Sequence, residues 1–226
     1  MAIQIITDTA KGNLVSKSHW WGFPDLPEGV DFPSVPDQPH LQARSGQNDC
    51  PDQQNLSDSE DEDLLTFICQ IDLADISPYD PDSLLPHRGM LYFFAALDYF
   101  LGDMDAEYGH IGFWEEDRYK VVYSPDTSNL HTHKVVWNDG SDACLPAEAI
   151  CFEKTGECDY NHKLLGLPFY EEVRDEAPGY VSLLQIDEDD RWGLRFYDCG
   201  MLNFLISKED LAARRFDRVK LYFHSL

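Results

Sequence analysis

The sequence predicts an α+β protein that is mostly antiparallel β-sheet, built from two duplicated structural repeats with few short helices. Three observations carry this prediction. Short apolar or aromatic runs are separated by turn-rich segments, helical periodicity is scarce, and one set of motifs occurs twice. The chain of 226 residues is 43% hydrophobic and 13% aromatic, so we expect one domain with a sizeable core over residues 1–226.

The first half of the chain contains three predicted strands, at residues 64–71, 90–96 and 119–124. Residues 3–6 form a short apolar patch, which predicts an edge strand or a loosely held end. Prolines recur through residues 22–40, so this stretch should run extended over the surface. Residues 42–63 are polar and then strongly acidic, which is typical of a solvated loop.

The second half contains clear strands at residues 180–186, 201–206 and 219–223. Residues 135–137 are a further strand candidate, and residues 146–152 fit either a helix or a strand. Ser207 precedes a short predicted helix at residues 208–215, which it would cap.

An internal repeat links the two halves. Gln70-Ile71-Asp72 follows one strand and Gln185-Ile186-Asp187 follows another, and each is succeeded by a Gly-Met-Leu-x-Phe strand that begins at Gly89 or Gly200. We therefore expect pseudo-repeats at about 18–125 and 160–226, with residues 42–63 inserted into the first copy only.

The repeated polar residues Gln70, Asp72, Gln185 and Asp187 are candidates for a cleft between the repeats. In the structural interpretation these residues only stabilise the fold, because Gln bonds to backbone groups and Asp favours the turn after a strand. In the functional alternative, Asp72 and Asp187 face each other and share a proton or bind a cation.

The acidic excess is concentrated in one part of the chain. The chain has 17 Lys and Arg against 42 Asp and Glu, a net charge of −25, which disfavours direct binding to nucleic acid or to a membrane surface. Residues 45–117 contain 18 acidic residues and one basic residue, Arg88. Solvated charge is one interpretation, and a docking surface for a basic protein is the other. The candidate carboxylates are Asp58, Glu60, Asp61, Glu62, Asp63, Asp103, Asp105, Glu107, Glu115, Glu116 and Asp117.

Trp20 and Trp21 are candidate anchors for such a partner. Adjacent residues on an extended chain point in opposite directions, so one of these side chains is expected to be exposed.

The sequence contains no recognised catalytic motif, and we predict no catalytic residue, no metal and no cofactor. His131 and His133 would share one face of a strand and could begin a metal site that Asp126, Asp139 and Asp142 complete, but an exposed polar hairpin is favoured. The six cysteines are expected to be free thiols.

The order of these motifs resembles the bacterial YwqG-like family, a domain family of unknown function. The resemblance rests on Gly22-Phe23-Pro24, on the two Gln-Ile-Asp motifs, on the strand that follows Gly89 and on His162-Lys163-Leu164-Leu165-Gly166, and it extends from about residue 22 to 223. It implies a single duplicated α+β unit and supplies no catalytic residues. The long acidic insertion and the Trp20-Trp21 pair depart from the family pattern.

The favoured interpretation is a non-enzymatic, acidic cytoplasmic binding protein, an immunity or antitoxin-type inhibitor of a basic partner such as a toxin. The alternative is a small-molecule or metal-binding enzyme that uses the cleft between the repeats. The cytoplasmic location is expected because the chain lacks an apolar run of about 20 residues and a basic start followed by an apolar stretch.

Overall fold

The computed structural model describes residues 1–10, 12–35, 64–107, 109–136 and 141–226. Within these ranges the protein is mostly antiparallel sheet with a few short helices, so the predicted α+β class is confirmed. The strands are β1 (Ala2–Thr9), β2 (His19–Trp20), β3 (Asp25–Pro27), β4 (Thr66–Asp72), β5 (Met90–Ala95), β6 (Gly112–Phe113), β7 (Tyr119–Ser124), β8 (Leu130–Thr132), β9 (Glu148–Thr155), β10 (Lys163–Leu164), β11 (Tyr180–Ile186), β12 (Met201–Ser207) and β13 (Lys220–His224). The helices are α1 (Leu73–Ile76), α2 (Glu171–Glu176) and α3 (Lys208–Ala212).

Most predicted elements are confirmed, with small shifts at their ends. The uncertain stretch at 146–152 is a strand, β9, and the helix predicted at 208–215 is the shorter α3. Ser207 caps that helix, because its Oγ accepts a hydrogen bond of 3.0 Å from the N–H of Asp210. Of the candidate strand at 135–137, Trp137 lies outside the described residues, and residues 135–136 have only an isolated bridge between Val136 and Asp142.

One large sheet organises the fold. Its described strands follow the order β6-β13-β12-β11-β10-β1-β9-β2-β4-β5-β7, and every neighbouring pair is antiparallel. A separate pair, β3 and β8, forms a small second sheet.

The N-terminal strand corrects one prediction. Instead of an edge strand or a loose end, β1 lies in the middle of the sheet and pairs with β9 from Ala2–Thr155 to Thr9–Glu148. On its other side β1 pairs with β10. The long partner strand begins more than 130 residues later in the chain, and a local apolar pattern carries no information about such a pairing.

The sheet folds onto itself to enclose the main core. We call β2, β4, β5 and β7 the first wing, and β10 to β13 with β6 the second wing. The rings of Phe93 on β5 and Phe204 on β12 lie 5.2 Å apart, although these strands are seven places apart in the sheet. The Tyr119 hydroxyl donates a hydrogen bond of 3.2 Å to the Val219 carbonyl. The inner faces of the two wings therefore pack against each other.

Each wing also has an outer face that is covered separately. On the first wing, Tyr92 and Phe94 pack with Leu26 beneath the β3–β8 pair. On the second wing, Leu205 and Tyr222 pack with Val173 of α2. In the described part of the chain no helix is both long and apolar enough to cross a membrane.

Candidate functional site

The two repeated glutamines are fully buried and hold loops against the sheet. Gln70 accepts a hydrogen bond of 2.8 Å from the Asp25 N–H, and its amide donates to the Lys17 carbonyl and to Oδ2 of Asp25. Gln185 accepts from the Phe169 N–H at 3.0 Å. Its amide donates to the carbonyls of Asp159 and Asn161, both at 3.0 Å. Both side-chain amides therefore bond to groups that hold the fold together, which agrees with the structural interpretation of the motif.

The two repeated aspartates are not brought together. Strands β4 and β11 are five places apart in an antiparallel sheet, so they run in opposite directions and their C-terminal residues lie at opposite ends of it. Asp72 caps α1, where its Oδ1 accepts from the Ala74 N–H at 2.9 Å. Oδ1 of Asp187 accepts from the Glu188 N–H at 2.8 Å. Burial raises the pKa of both carboxyls, and neither pKa is affected by the other aspartate.

A pocket of about 320 Å³ lies beside Asp187, just before β10 begins, along Gln4 to Thr7 of β1. Its lining includes Thr7, His162, Asp187 and Arg191. Nδ1 of His162 accepts a hydrogen bond of 3.1 Å from the Asp187 N–H, which places the ring proton on Nε2. Nε2 lies 3.8 Å from Oδ2 of Asp189.

The cationic group of this pocket is already neutralised by neighbouring carboxylates. The Arg191 guanidinium donates to Oδ1 and to Oδ2 of Asp189, and its Nη1 lies 3.7 Å from Oε2 of Glu148. Because His162 and Arg191 stabilise its charge, the pKa of Asp189 lies well below its usual range. Arg191 also donates to the Thr7 hydroxyl at 2.9 Å.

Trp20 and Trp21 are not surface anchors, and the prediction that one of them is exposed is wrong. Both are buried, with 0% and 1% of their surface exposed. Their rings each lie 5.4 Å from the ring of Trp192, the first stacked and the second edge-on. The prediction assumed an extended chain, but Trp21 has a φ of 55° and leaves the strand in a left-handed conformation. With that turn, the Trp21 indole lies in the same part of the core as the Trp20 indole, 6.2 Å from it.

The acidic candidates fall into two groups. Asp58, Glu60, Asp61, Glu62 and Asp63 lie outside the described residues.

In the second group, Asp103, Asp105, Glu107, Glu115 and Glu116 are exposed, whereas Asp117 is half-buried. Glu107 forms a salt bridge with Arg118, and no other exposed member of this group has a salt bridge to a described Lys or Arg. This segment leaves the first wing after β5, meets the second wing where the edge strand β6 pairs with β13, and returns to the first wing at β7.

Exposed apolar side chains alternate with these carboxylates along the chain, and their exposure was not predicted from the sequence. Met104, Ile111 and Phe113 are 72%, 53% and 38% exposed. The segment is held by main-chain acceptors, because Trp114 Nε1 donates to the His110 carbonyl at 2.9 Å and the Tyr197 hydroxyl donates to the Gly109 carbonyl at 3.2 Å. The alternation of acidic and apolar residues was visible in the sequence, but their shared exposure was not. We define the acidic-loop surface as Asp103, Met104, Asp105, Glu107, Ile111, Phe113, Glu115 and Glu116.

The His131 region does not assemble a recognisable ligand set. Strand β8 pairs with β3, and His131 is exposed at that pairing. Among the described residues, no group of three or more His, Cys, Asp and Glu side chains is arranged to hold a metal ion. One of the aspartates considered for it, Asp139, lies outside the described residues.

The fold and this surface can be compared with known proteins. The family model named Domain of unknown function (DUF1963) matches residues 18–224. The chain belongs to the DUF1963 family. The DUF1963 match spans both wings and the acidic-loop surface, and the family description names no activity. No curated protein matches the chain.

Proposed function

We propose that this DUF1963 protein is a non-enzymatic cytoplasmic binding protein that docks a basic partner protein on the acidic-loop surface. The observation that carries the proposal is that exposed carboxylates alternate along residues 103–116 with the exposed side chains of Met104, Ile111 and Phe113. An apolar centre with a charged rim is the usual anatomy of a protein interface, and the charge would speed encounter with an oppositely charged partner.

The electrostatic field at this surface supports a basic partner. Between residues 90 and 117 the chain has no Lys or Arg, so the carboxylates of the acidic-loop surface are not offset within their own segment. Arg118, the first basic residue after it, is paired with Glu107. A partner rich in Lys and Arg would relieve the remaining repulsion. An immunity or antitoxin-type inhibitor of a basic toxin is the specific form of this function that we propose.

We further propose that the acidic segments were added to a duplicated, YwqG-like scaffold. Matching positions support the duplication. Gln70 pairs with His19 as Gln185 pairs with Lys163, and β4 and β11 each have a register shift two residues before the glutamine. Strand pairs β2–β4 and β10–β11 also stand at equal distances from the central β1–β9 pair. Residues 42–63, the proposed insertion, have no counterpart between β10 and β11.

A second candidate function is small-molecule binding in the pocket beside Asp187. The pocket volume of about 320 Å³ and the raised pKa of its half-buried carboxyl favour it. The cleft enzyme considered from the sequence also used Asp72. Because β4 and β11 run in opposite directions, Asp72 does not lie in this pocket.

Capture from native lysate at low salt, followed by identification of what is retained, tests the main proposal. We compare the wild type with a variant that carries Asp105→Asn, Glu115→Gln and Glu116→Gln. A control variant removes three exposed carboxylates elsewhere through Asp31→Asn, Asp82→Asn and Glu153→Gln. A basic protein should be retained by the wild type and the control and lost by the acidic-loop variant. Retention of no basic protein, or equal loss from both variants, would contradict the proposal.

A further inference from the structure

A second group of exposed aromatic side chains lies on the outer face of the second wing. The ring of Tyr160 lies 6.1 Å from that of Phe169, which lies 5.0 Å from that of Tyr170. Tyr170 in turn packs on the buried His224 at 4.3 Å. Tyr160 is 60% exposed and Phe169 is 38% exposed. We call Tyr160, Phe169 and Tyr170 the aromatic row.

The aromatic row is held in place by a buried residue beneath it. Gln185 accepts from the N–H of Phe169 and donates to the carbonyls of Asp159 and Asn161, the two neighbours of Tyr160 in the chain. One fully buried side chain therefore holds the two backbone segments that carry the exposed rings. The Tyr170 hydroxyl adds a third tie, since it donates to the Cys199 carbonyl. The backbone that carries the rings is therefore already ordered, which lowers the entropic cost of ordering it when a partner binds.

The surroundings of the aromatic row are acidic. Residues 157–176 contain six acidic and two basic residues, and Glu171 and Glu172 are exposed in the first turn of α2. At the other end of the row, burial, the Cys199 thiol when it is ionised, and the carboxylates of Asp187, Glu188 and Asp198 raise the pKa of the Tyr170 hydroxyl.

Neither basic residue of this stretch covers the exposed rings. The Lys163 ammonium is buried and donates to the carbonyls of Glu157, Asp159 and Leu167. The Arg174 guanidinium is directed to the carbonyls of Pro168 and Phe169, both at 2.7 Å. Among the described residues, no Lys or Arg lies over the ring of Tyr160 or Phe169.

We propose that the aromatic row binds arginine side chains of the basic partner, an inference that rests on the proposed function and extends its docking surface. A guanidinium stacks on aromatic faces and is less strongly hydrated than an ammonium, so exposed rings in an acidic field favour arginine over lysine. The protein already contains one such contact, where Arg191 lies 5.1 Å from the centre of the Trp192 ring.

The aromatic row and Phe113 of the acidic-loop surface both pack on the outer face of β13. Phe113 lies 4.9 Å from Tyr222, ring to ring, and Tyr222 shares a face of β13 with His224, on which Tyr170 packs. The outer face of the second wing therefore connects the two features. One partner that docks on the acidic-loop surface can reach the aromatic row from there.

Peptide binding tests this inference with octa-arginine and octa-lysine as probes, measured by calorimetry in about 20 mM salt. Tyr160→Leu with Phe169→Leu keeps apolar volume but removes both aromatic faces. We expect the affinity for octa-arginine to fall about fivefold or more, and the affinity for octa-lysine to fall less. Tyr160→Phe retains a ring and should bind octa-arginine as the wild type does. Thermal midpoints confirm that each variant is folded.

The outcomes separate this inference from the proposed function. If the double variant binds octa-arginine as well as the wild type while the acidic-loop variant binds it worse, the aromatic row is excluded and the acidic-loop surface remains. Equal losses for octa-arginine and octa-lysine would show a general apolar contact and overturn the arginine preference. If the wild type binds neither peptide, both proposals fail.

Discussion

The side-chain amide of Gln70 donates a hydrogen bond of 2.8 Å to Oδ2 of Asp25, which lies 45 residues earlier in the chain. Both residues are buried, with 0% and 1% of their surface exposed. Asp25 also accepts from the Ser16 N–H at 2.8 Å and from the Thr132 hydroxyl at 2.5 Å. This carboxylate therefore joins β4, the β3–β8 pair and the segment before β2 into one polar network.

Replacing Gln70 should destabilise the fold strongly. Gln70→Leu leaves the Asp25 N–H and part of its buried carboxylate without a partner, so we expect a loss of about 2–4 kcal/mol in the free energy of unfolding. Urea titration followed by circular dichroism measures it. Asn129→Ala, which removes an exposed bond to Glu28, is the control and should cost less than about 0.5 kcal/mol. Similar losses for the two variants would contradict the network.

Gly89 should tolerate no side chain, because two separate constraints act on it. Its φ is +92°, and an added Cβ would lie 2.4 Å from the Ser124 carbonyl oxygen. Gly102 has a φ of +107° but nothing within 4 Å of that position. We expect Gly102→Ala to cost about 1 kcal/mol from backbone strain alone, and Gly89→Ala to cost at least about 2 kcal/mol more. Chemical unfolding of the two variants decides this, and equal losses would show that the contact is easily relieved.

Buried His19 should make stability depend on pH. Burial lowers the pKa of His19, although the Trp21 carbonyl and the Asp25 charge partly oppose this effect. The folded state therefore binds the proton less readily than the unfolded state. Its contribution to stability is complete above the unfolded pKa of about 6.5 and falls as the pH drops below that value. Unfolding free energies between about pH 5 and pH 8 should vary less in His19→Gln than in the wild type. An unchanged pH dependence in the variant would show that His19 does not contribute.

Trp21 should be a core residue and not a binding residue. Trp21→Ala removes a buried indole that packs edge-on against Trp192, and we expect a loss of about 3–5 kcal/mol in the free energy of unfolding. Trp21→Phe should lose less and should retain affinity for octa-arginine when folded. Reduced peptide affinity in a fully folded Trp21→Phe variant would restore a role for this residue in partner binding.

The sequence predicted local elements better than their arrangement. The aromatic run of β5 and the apolar runs of β11 and β12 can be recognised as strands in the sequence, because these strands are buried on both faces. The central place of β1 depends on β9, and the packing of Phe93 on Phe204 depends on how the sheet folds. Neither long-range relationship has a local signal.

The candidate site was predictable to a similar extent. The acidic segment at 103–117 was evident from charge, whereas the exposure of Met104 and Phe113 depends on where the segment meets β13. The predicted exposure of Trp20 or Trp21 was wrong because Trp21, just after β2, adopts a left-handed backbone conformation. The aromatic row was not predicted because Tyr160 and Phe169 are separated in the sequence, and the hydrogen bonds of Gln185 hold their loops side by side.

The salt dependence of octa-arginine binding tests the central claim, docking of a basic partner on the acidic-loop surface, most directly. We would measure the dissociation constant from about 20 to about 300 mM salt for the wild type, the acidic-loop variant and the control variant. The wild type and the control should bind alike and weaken steeply with salt, whereas the acidic-loop variant should bind several-fold more weakly at low salt and depend less on it. Equal affinities and equal salt dependence in both triple variants would contradict the claim, because the peptide would then respond only to total charge.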